Sequence, residues 1–313
     1  MPRARRYSRR CANPSERRVK GADVVANGTR AGWQQGQDAL RDEVTRVTAL
    51  LRSIQEPGVP AVGHWNLGDV AMHLSQAWIL VTGLARRDLS PFHAVIPSTA
   101  GVTGGSVIRN MWDFGEITDL GVQADSERDL GVLADRIEAQ AEQYFSECVA
   151  ADPDAPRPWV IEGTTVRQAT LTYHLLNETL THGYDIAHAA GRPWRIEPSH
   201  AAMSLGRFVV PVLQAASPRV FVNHAKAAGL RATYDLRIRG GDSFHFIFDD
   251  GALTIVEPSS RGVDCHISAD PVAFHMVVWN RQSQWTAIAQ TKLMAWGRKP
   301  WLGLQLRSLI RNP

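Results

Sequence analysis

The chain has 313 residues, 44% hydrophobic and 21% charged, which is enough for two globular domains with separate cores and too apolar for a disordered polymer. Its formal charge of +3 is unevenly spread: the first twenty residues, MPRARRYSRRCANPSERRVK, hold eight Arg and Lys against one Glu, so everything after them sums to a net negative charge. That balance gives the folded part no basic surface for nucleic acid.

Residues 1–32 read as a basic, disordered leader. They lack the apolar core that a secretory signal needs, and no later stretch reaches the roughly 18 uninterrupted apolar residues of a membrane-spanning helix. From about Gln37 to Ile54, the apolar positions Ala39, Leu40, Val44, Val47, Leu50, Leu51 and Ile54 recur at three and four, which predicts a first helix. The breaker segment EPGVPAVGHW follows. A second helix then starts in NLGDVAMHLSQAWILVTGLA, with Asn66 as N-cap and Asp69 placed to return a bond, a capping box in pattern.

A Gly, Ser and Thr-rich loop, IPSTAGVTGGSVIRN, separates this from a third helix over about Asp125 to Val149, with Leu130, Leu133, Ile137, Ala141, Tyr144 and Phe145 in step. The punctuated ADPDAPRPW leads to a fourth, GTTVRQATLTYHLLNETLTHGYDIAHAAG, where Thr165 and Gln168 have capping-box spacing and Gly191 stands at the expected stop. Four long helices joined by loops predict a four-helix bundle over residues 33–195. Residues 196–313 change character. One helical segment, about Ser199 to Leu213, precedes the strand-like runs ATYDLRIRG, DSFHFIFDD, GALTIVEP and VDCHISAD, with a hairpin signal in DDG at 249–251. Helical patterns return around Pro271 to Trp279 and Trp301 to Ile310, flanking a last strand, TKLMAWG. This predicts an α+β domain with an antiparallel sheet covered by helices.

Three cysteines, Cys11, Cys148 and Cys265, lie far apart with no CxxC, so neither a disulfide framework nor a thiolate zinc site is indicated, and reduced thiols fit a cytoplasmic protein. Metal chemistry has other candidates. Glu178 and His182 are four apart in the fourth helix and converge on one point of its face. Alone they are as consistent with an exposed ion pair. In the second helix His73 shares a face with Val70, Ala77 and Leu80, an inward face on this pattern, although a single core histidine is commonly just a satisfied polar residue. Inside one bundle, a His from one helix and an i,i+4 pair from another give three N/O ligands with a fourth tetrahedral position open.

The motifs HWNLGDVAMHL at 64–74 and NETLTHGYDIAHAAG at 177–191 resemble those of the mycothiol-dependent maleylpyruvate isomerases and their DinB-like metalloenzyme relatives. The first carries Trp, a capping residue, an acid three on and the helix-two His; the second carries ExxxHxxD before a helix end rich in small residues. The C-terminal half, with ADPVAFHMVVWNR after its strands, is similar to the sterol-carrier-like domain that many members append. The resemblance implies that His73, Glu178 and His182 bind a divalent metal, zinc foremost, that Asp185 supports the site, and that mycothiol is the cosubstrate. Asp185 falls three after His182 and seven after Glu178, on the same face, from which it can hold a ligand His ring by its second N–H. Members often have an Arg three residues before the Glu, where this chain has Leu175, with His174 one further back. His174 either extends the polar site or is a buried ring.

Two neutral imidazoles and one carboxylate leave Zn²⁺ with a net positive charge, so a thiol in the open position is held as thiolate without a protein cysteine. Addition to a conjugated carbon, rotation and elimination would isomerise a maleylpyruvate-like acid. In related transferases the thiol stays attached to its electrophile or is exchanged for another, as in detoxification or natural-product assembly. For an acidic substrate, family members draw an Arg from the second domain, and the candidates are Arg237 and Arg239 in LRIRGGD, which share a strand face. Trp65, Trp78, Trp159 and Trp194 read as bundle packing. The partners expected are thus small molecules, a thiol and an electrophile, with neither nucleic acid nor membrane. Two other readings are a metal-free protein carrying an apolar ligand in the C-terminal domain and a hydrolase using metal-activated water.

Overall fold

The computed structural model describes residues 14–96, 113–216 and 219–311. The first helix, α1, spans Pro14–Arg52, so the expected leader is helical from Pro14 onward and only residues 1–13 lie outside the description. Propagation is the reason. Trp33, Leu40, Val47 and Leu51 pack into the core, and once that half is nucleated each further residue adds a hydrogen bond at little cost.

A short antiparallel hairpin of β1 (Pro60–Val62) and β2 (Trp65–Asn66) leads to α2, Leu67–Arg86. The capping box is as predicted: Asp69 N–H donates to Asn66 Oδ1 and Asn66 N–H to Asp69 Oδ2, both at 2.9 Å. α3 (Ser90–Val95) follows. Apart from Ile96, the predicted loop at 96–110 lies outside the described residues. α4 (Asp113–Ala124) is a helix that the sequence pattern did not suggest, because Gly115 and Gly121 interrupt its apolar rhythm. α5 (Leu130–Ala150) begins five residues after the predicted Asp125, where the Asp129 carboxylate accepts from the N–H groups of Gly131 and Val132.

β3 (Pro156–Pro158) and β4 (Thr165–Arg167) form a second small antiparallel pair in front of α6, Gln168–Ala189. The expected capping box at Thr165 and Gln168 is therefore absent: Thr165 is in a strand. Carbonyls of the preceding loop satisfy the helix start instead, Ala155 O accepting from Gln168 N–H at 2.8 Å and Pro153 O from Ala169 N–H at 2.9 Å. Helices α1, α2, α5 and α6 make the bundle, with α1 and α2 each packed on both α5 and α6. Trp33, Trp78, Leu133 and Tyr144 fill it, and Thr172 takes hydrogen bonds from Trp33 Nε1 at 2.7 Å and with Tyr144 OH at 2.8 Å.

α7 (Pro198–Ser204), a π-helical turn (Leu205–Val209) and α8 (Val210–Ala215) form one rod where a single helix over about 199–213 was predicted. Pro211 has no N–H to donate, and a wider turn ahead of it relieves the clash of its ring. After α9 (His224–Ala227) come β5 (Arg231–Ile238), β6 (Ser243–Asp249), β7 (Ala252–Val256) and β8 (Cys265–Ala269). Then follow α10 (Pro271–Val278), α11 (Gln284–Ala289), β9 (Leu293–Trp296), a 3₁₀ turn (Pro300–Leu304) and α12 (Leu306–Leu309). The sheet order is β7-β6-β5-β8-β9. Asp250 and Gly251 have φ of 46° and 78°, as the two-residue turn between β6 and β7 requires. The sheet is not wholly antiparallel as expected: β8 runs parallel to β5. Residues 257–264 carry the chain from the β7 edge to the far side of β5, so it enters β8 in the direction of β5. No helix among the described residues is long and apolar enough to cross a membrane.

Candidate metal centre

The row 174, 178, 182 on α6 faces α2 across the bundle, and His73 of α2 meets it. Glu178 Oε2 lies 3.5 Å from His73 Nε2 and 3.4 Å from His182 Nε2. The two imidazole centroids are 4.7 Å apart with planes at 81°. One donor atom from each of the three residues falls within 4.8 Å of the others. For zinc bonds of about 2.0–2.1 Å, ligands of a tetrahedral ion are about 3.3 Å apart, so both His–Glu separations already match its edges. The donor set, two imidazoles and a carboxylate, fits a divalent ion with an open position.

The electrostatics fit as well. Burial by itself would raise the Glu178 carboxyl, but the His174, His182 and His73 rings together hold it well below the usual carboxylate range. Burial pushes His73 down, leaving the neutral ring that ligates metals. His182 goes the other way: burial opposes its charge, yet hydrogen bonds to Asp185 and Glu178 raise it to about 9. Its Nδ1 is 3.1 Å from Asp185 Oδ2, the partner that fixes a ligand ring through its second nitrogen. Asp185 would itself be raised by burial, but His182 and Arg281 bring it to about 2.

Arg281, just after α10, donates from Nε and a terminal nitrogen to the two Asp185 oxygens at 2.9 and 2.6 Å. It also lines the cavity of about 290 Å³ onto which the three candidate ligands open. Arg237 and Arg239 do not reach this cavity. Both side chains are exposed, Arg239 just past the end of β5: Arg237 Nε donates to Asp235 at 2.8 Å and Arg239 to the Lys292 carbonyl at 2.6 Å. Arg281, the last residue of ADPVAFHMVVWNR, instead lies between α10 and α11.

His174 does both things its spacing allowed. It is 8% exposed and stacks on Phe208 with centroids 4.5 Å apart, yet its Nε2 stands 3.5 Å from Glu178 Oε1. Trp159 is in the bundle core and Trp65 packs against it, as the reading of the tryptophans as packing expected, and both also line the cavity. Trp65 lies 5.2 Å from the His73 ring, pinned by a 2.9 Å bond from its Nε1 to Asp119 of α4. Trp78 and Trp194 pack as well, Trp194 against Gly183. Much of the remaining wall is apolar, including Leu80, Phe92, Ile96 and Leu213. Neither described cysteine offers a nucleophile: both are buried, and burial pushes Cys148 up to about 11 and Cys265 upward as well.

Residues 38–187 match the model of the mycothiol maleylpyruvate isomerase N-terminal domain. Among solved structures, a mycothiol-dependent maleylpyruvate isomerase is 13% identical, with 84% of this chain and 92% of that one covered at a TM-score of 0.48. The stereoselective inverting sec-alkylsulfatase Pisa1 from Pseudomonas sp. is 17% identical over 56% of this chain and 28% of its own, at 0.27. Sterol carrier protein 2 from Yarrowia lipolytica is 19% identical over 24% of this chain and 65% of its own, at 0.19. Comparison with curated protein sequences gives no match.

Proposed function

Through residues 38–187 the chain belongs to the mycothiol maleylpyruvate isomerase N-terminal domain family, and on that premise we propose that it is a cytoplasmic, metal-dependent enzyme that uses mycothiol to isomerise a maleylpyruvate-like acid. The observation that carries this reading is the convergence of His73, Glu178 and His182 within 4.8 Å at the edge of a cavity. Zinc or another divalent ion bound there would lower the pKa of a coordinating thiol and so supply a thiolate at neutral pH.

The chain's own residues do the rest. Glu178 keeps its charge because three imidazoles surround it. Asp185 keeps the proton of His182 on Nδ1, which leaves Nε2 for the metal. Arg281 spends three of the five guanidinium N–H groups on Asp185 and on the Trp279 carbonyl, leaving two for a substrate carboxylate. It thereby takes the role expected of Arg237 and Arg239. Trp65, Phe92 and Phe208 exclude water from the thiolate.

A second reading, S-transfer to an apolar electrophile, draws support from the apolar wall of Leu80, Ile96 and Leu213. Metal-loaded protein incubated with mycothiol and maleylpyruvate, with products read by mass spectrometry, tests both. An isobaric trans product supports isomerisation, a stable thiol adduct supports transfer, and turnover without thiol defeats both in favour of hydrolysis.

A further inference from the structure

Beside the candidate metal ligands, the next row of α6 carries uncharged polar groups. Asn177 and Thr181 are one turn apart, 1% and 5% exposed, and both line the cavity. Behind them sit Ser204, at the end of α7, and His275 of α10, each with no exposure at all. The Ser204 hydroxyl donates to Asn177 Oδ1 at 2.8 Å. His275 Nδ1 stands 3.4 Å from Ser204 Oγ, and its Nε2 stands 3.2 Å from Thr181 Oγ1.

The protons in this chain can be assigned. Burial, aided by the Arg281 charge, pushes His275 down to about 3, so its ring is neutral and carries one N–H. Ser204 has given its proton to Asn177, so the His275 contact with Ser204 is made by Nδ1–H, and Nε2 accepts from the Thr181 hydroxyl. The bonds run head to tail from Thr181 through His275 and Ser204 to Asn177. At the end of the chain the Asn177 carbonyl oxygen is committed, and its Nδ2 has no partner among the described residues. It belongs to a residue that lines the cavity, one row from Glu178, where a bound molecule can accept from it.

We propose that the Asn177 side-chain amide donates to the substrate carbonyl oxygen on which negative charge develops, with Ser204, His275 and Thr181 as positioning residues that fix the amide's orientation. The inference rests on the thiol-addition reading. In that step the sulfur forms a bond to the β-carbon of the conjugated carbonyl, the C=C pair shifts toward the carbonyl, and the oxygen gains the charge. After rotation the oxygen's pair returns, the C=C bond re-forms and the thiolate leaves, with no net proton or electron transfer. A donor at that oxygen is worth most while the charge is there, so it acts on kcat more than on KM. An amide also stabilises the enolate without handing it a proton, which leaves the enolate free to expel the thiol.

The test compares wild type with Asn177→Leu in the metal-loaded full chain, using mycothiol and maleylpyruvate. The expected result is a kcat lowered by about 10²–10³-fold, as for loss of an oxyanion donor, with little change in KM and undiminished metal content. Ser204→Ala, which frees the amide to rotate, should give a smaller loss of the same kind and serves where the leucine variant does not fold. An independent readout is the isotope-edited infrared carbonyl band of the trans product bound to metal-loaded protein without thiol: lowered in wild type, and returned toward its solution position in either variant. Wild-type kcat in Asn177→Leu, or a carbonyl band that neither variant moves, overturns the assignment. A wild type that shifts the band yet does not isomerise maleylpyruvate defeats the thiol-addition reading and leaves the donor assignment standing.

Discussion

Arg281 reaches across the domain boundary to both oxygens of Asp185, at 2.9 and 2.6 Å, while Asp185 in turn holds the ring of His182. The second domain is thereby coupled to a candidate metal ligand of the first through two hydrogen-bonded contacts. Asp185 is almost fully buried and Arg281 largely so, with side-chain exposures of 4% and 19%. Removing Asp185 leaves the Arg281 charge without its carboxylate, whereas removing Arg281 leaves Asp185 with the His182 ring.

Arg281→Ala should therefore destabilise the fold, though by less than the roughly 3–5 kcal/mol of a fully orphaned buried charge, because His182 still pairs with Asp185. Chemical denaturation followed by circular dichroism measures it. Arg281→Lys should recover part of the stability but not the bidentate geometry, and should raise KM for an acidic substrate.

Asp185→Asn should lower metal affinity by about 10–100-fold, the usual consequence of losing a carboxylate behind a ligand His. Competition with a chelator reads the change directly. Unchanged affinity would mean that Asp185 serves the domain contact alone.

Metal uptake should release protons. His182 is held at about 9 in the metal-free protein, so at pH 7 its ring is charged and must lose a proton to ligate. Calorimetry in two buffers of different ionisation enthalpy should show about one proton released per metal at pH 7, falling toward none above pH 9. The sign for stability follows the same shift. A pKa raised in the folded state stabilises the metal-free protein fully below the unfolded value of about 6.5, and that contribution is lost as pH rises through 9.

Arg237→Ala and Arg239→Ala should leave turnover unchanged, since both residues point to solvent and pair with Asp235 and the Lys292 carbonyl. A large rise in KM in either variant would place the acidic end of the substrate against the sheet rather than at Arg281.

Much of this arrangement was legible in the sequence because it is helical. Spacings of four on one helix and a polar residue on the inward face of another bring His73, Glu178 and His182 together whatever the loops do. The cap at Asn66 is equally local. What escaped was set by distant contacts. Arg281 follows a helix of the second domain, and nothing in its neighbourhood tells which element of the bundle it will face. The start of α6 is satisfied by the carbonyls of Pro153 and Ala155, so a side-chain pattern at Thr165 and Gln168 could not reveal it. The parallel pairing of β8 with β5 depends on where residues 257–264 cross, which alternation along a strand does not encode. Asn177 was hidden for the same reason: its orientation is fixed by Ser204 and His275, far along the chain.

The central claim is that His73, Glu178 and His182 share one ion. Elemental analysis of purified, zinc-loaded wild type and of Glu178→Ala after dialysis tests it most directly. About one divalent metal per chain in wild type, with almost none in the variant, is the predicted result. A wild type without metal, or a variant that keeps it in full, would contradict the account.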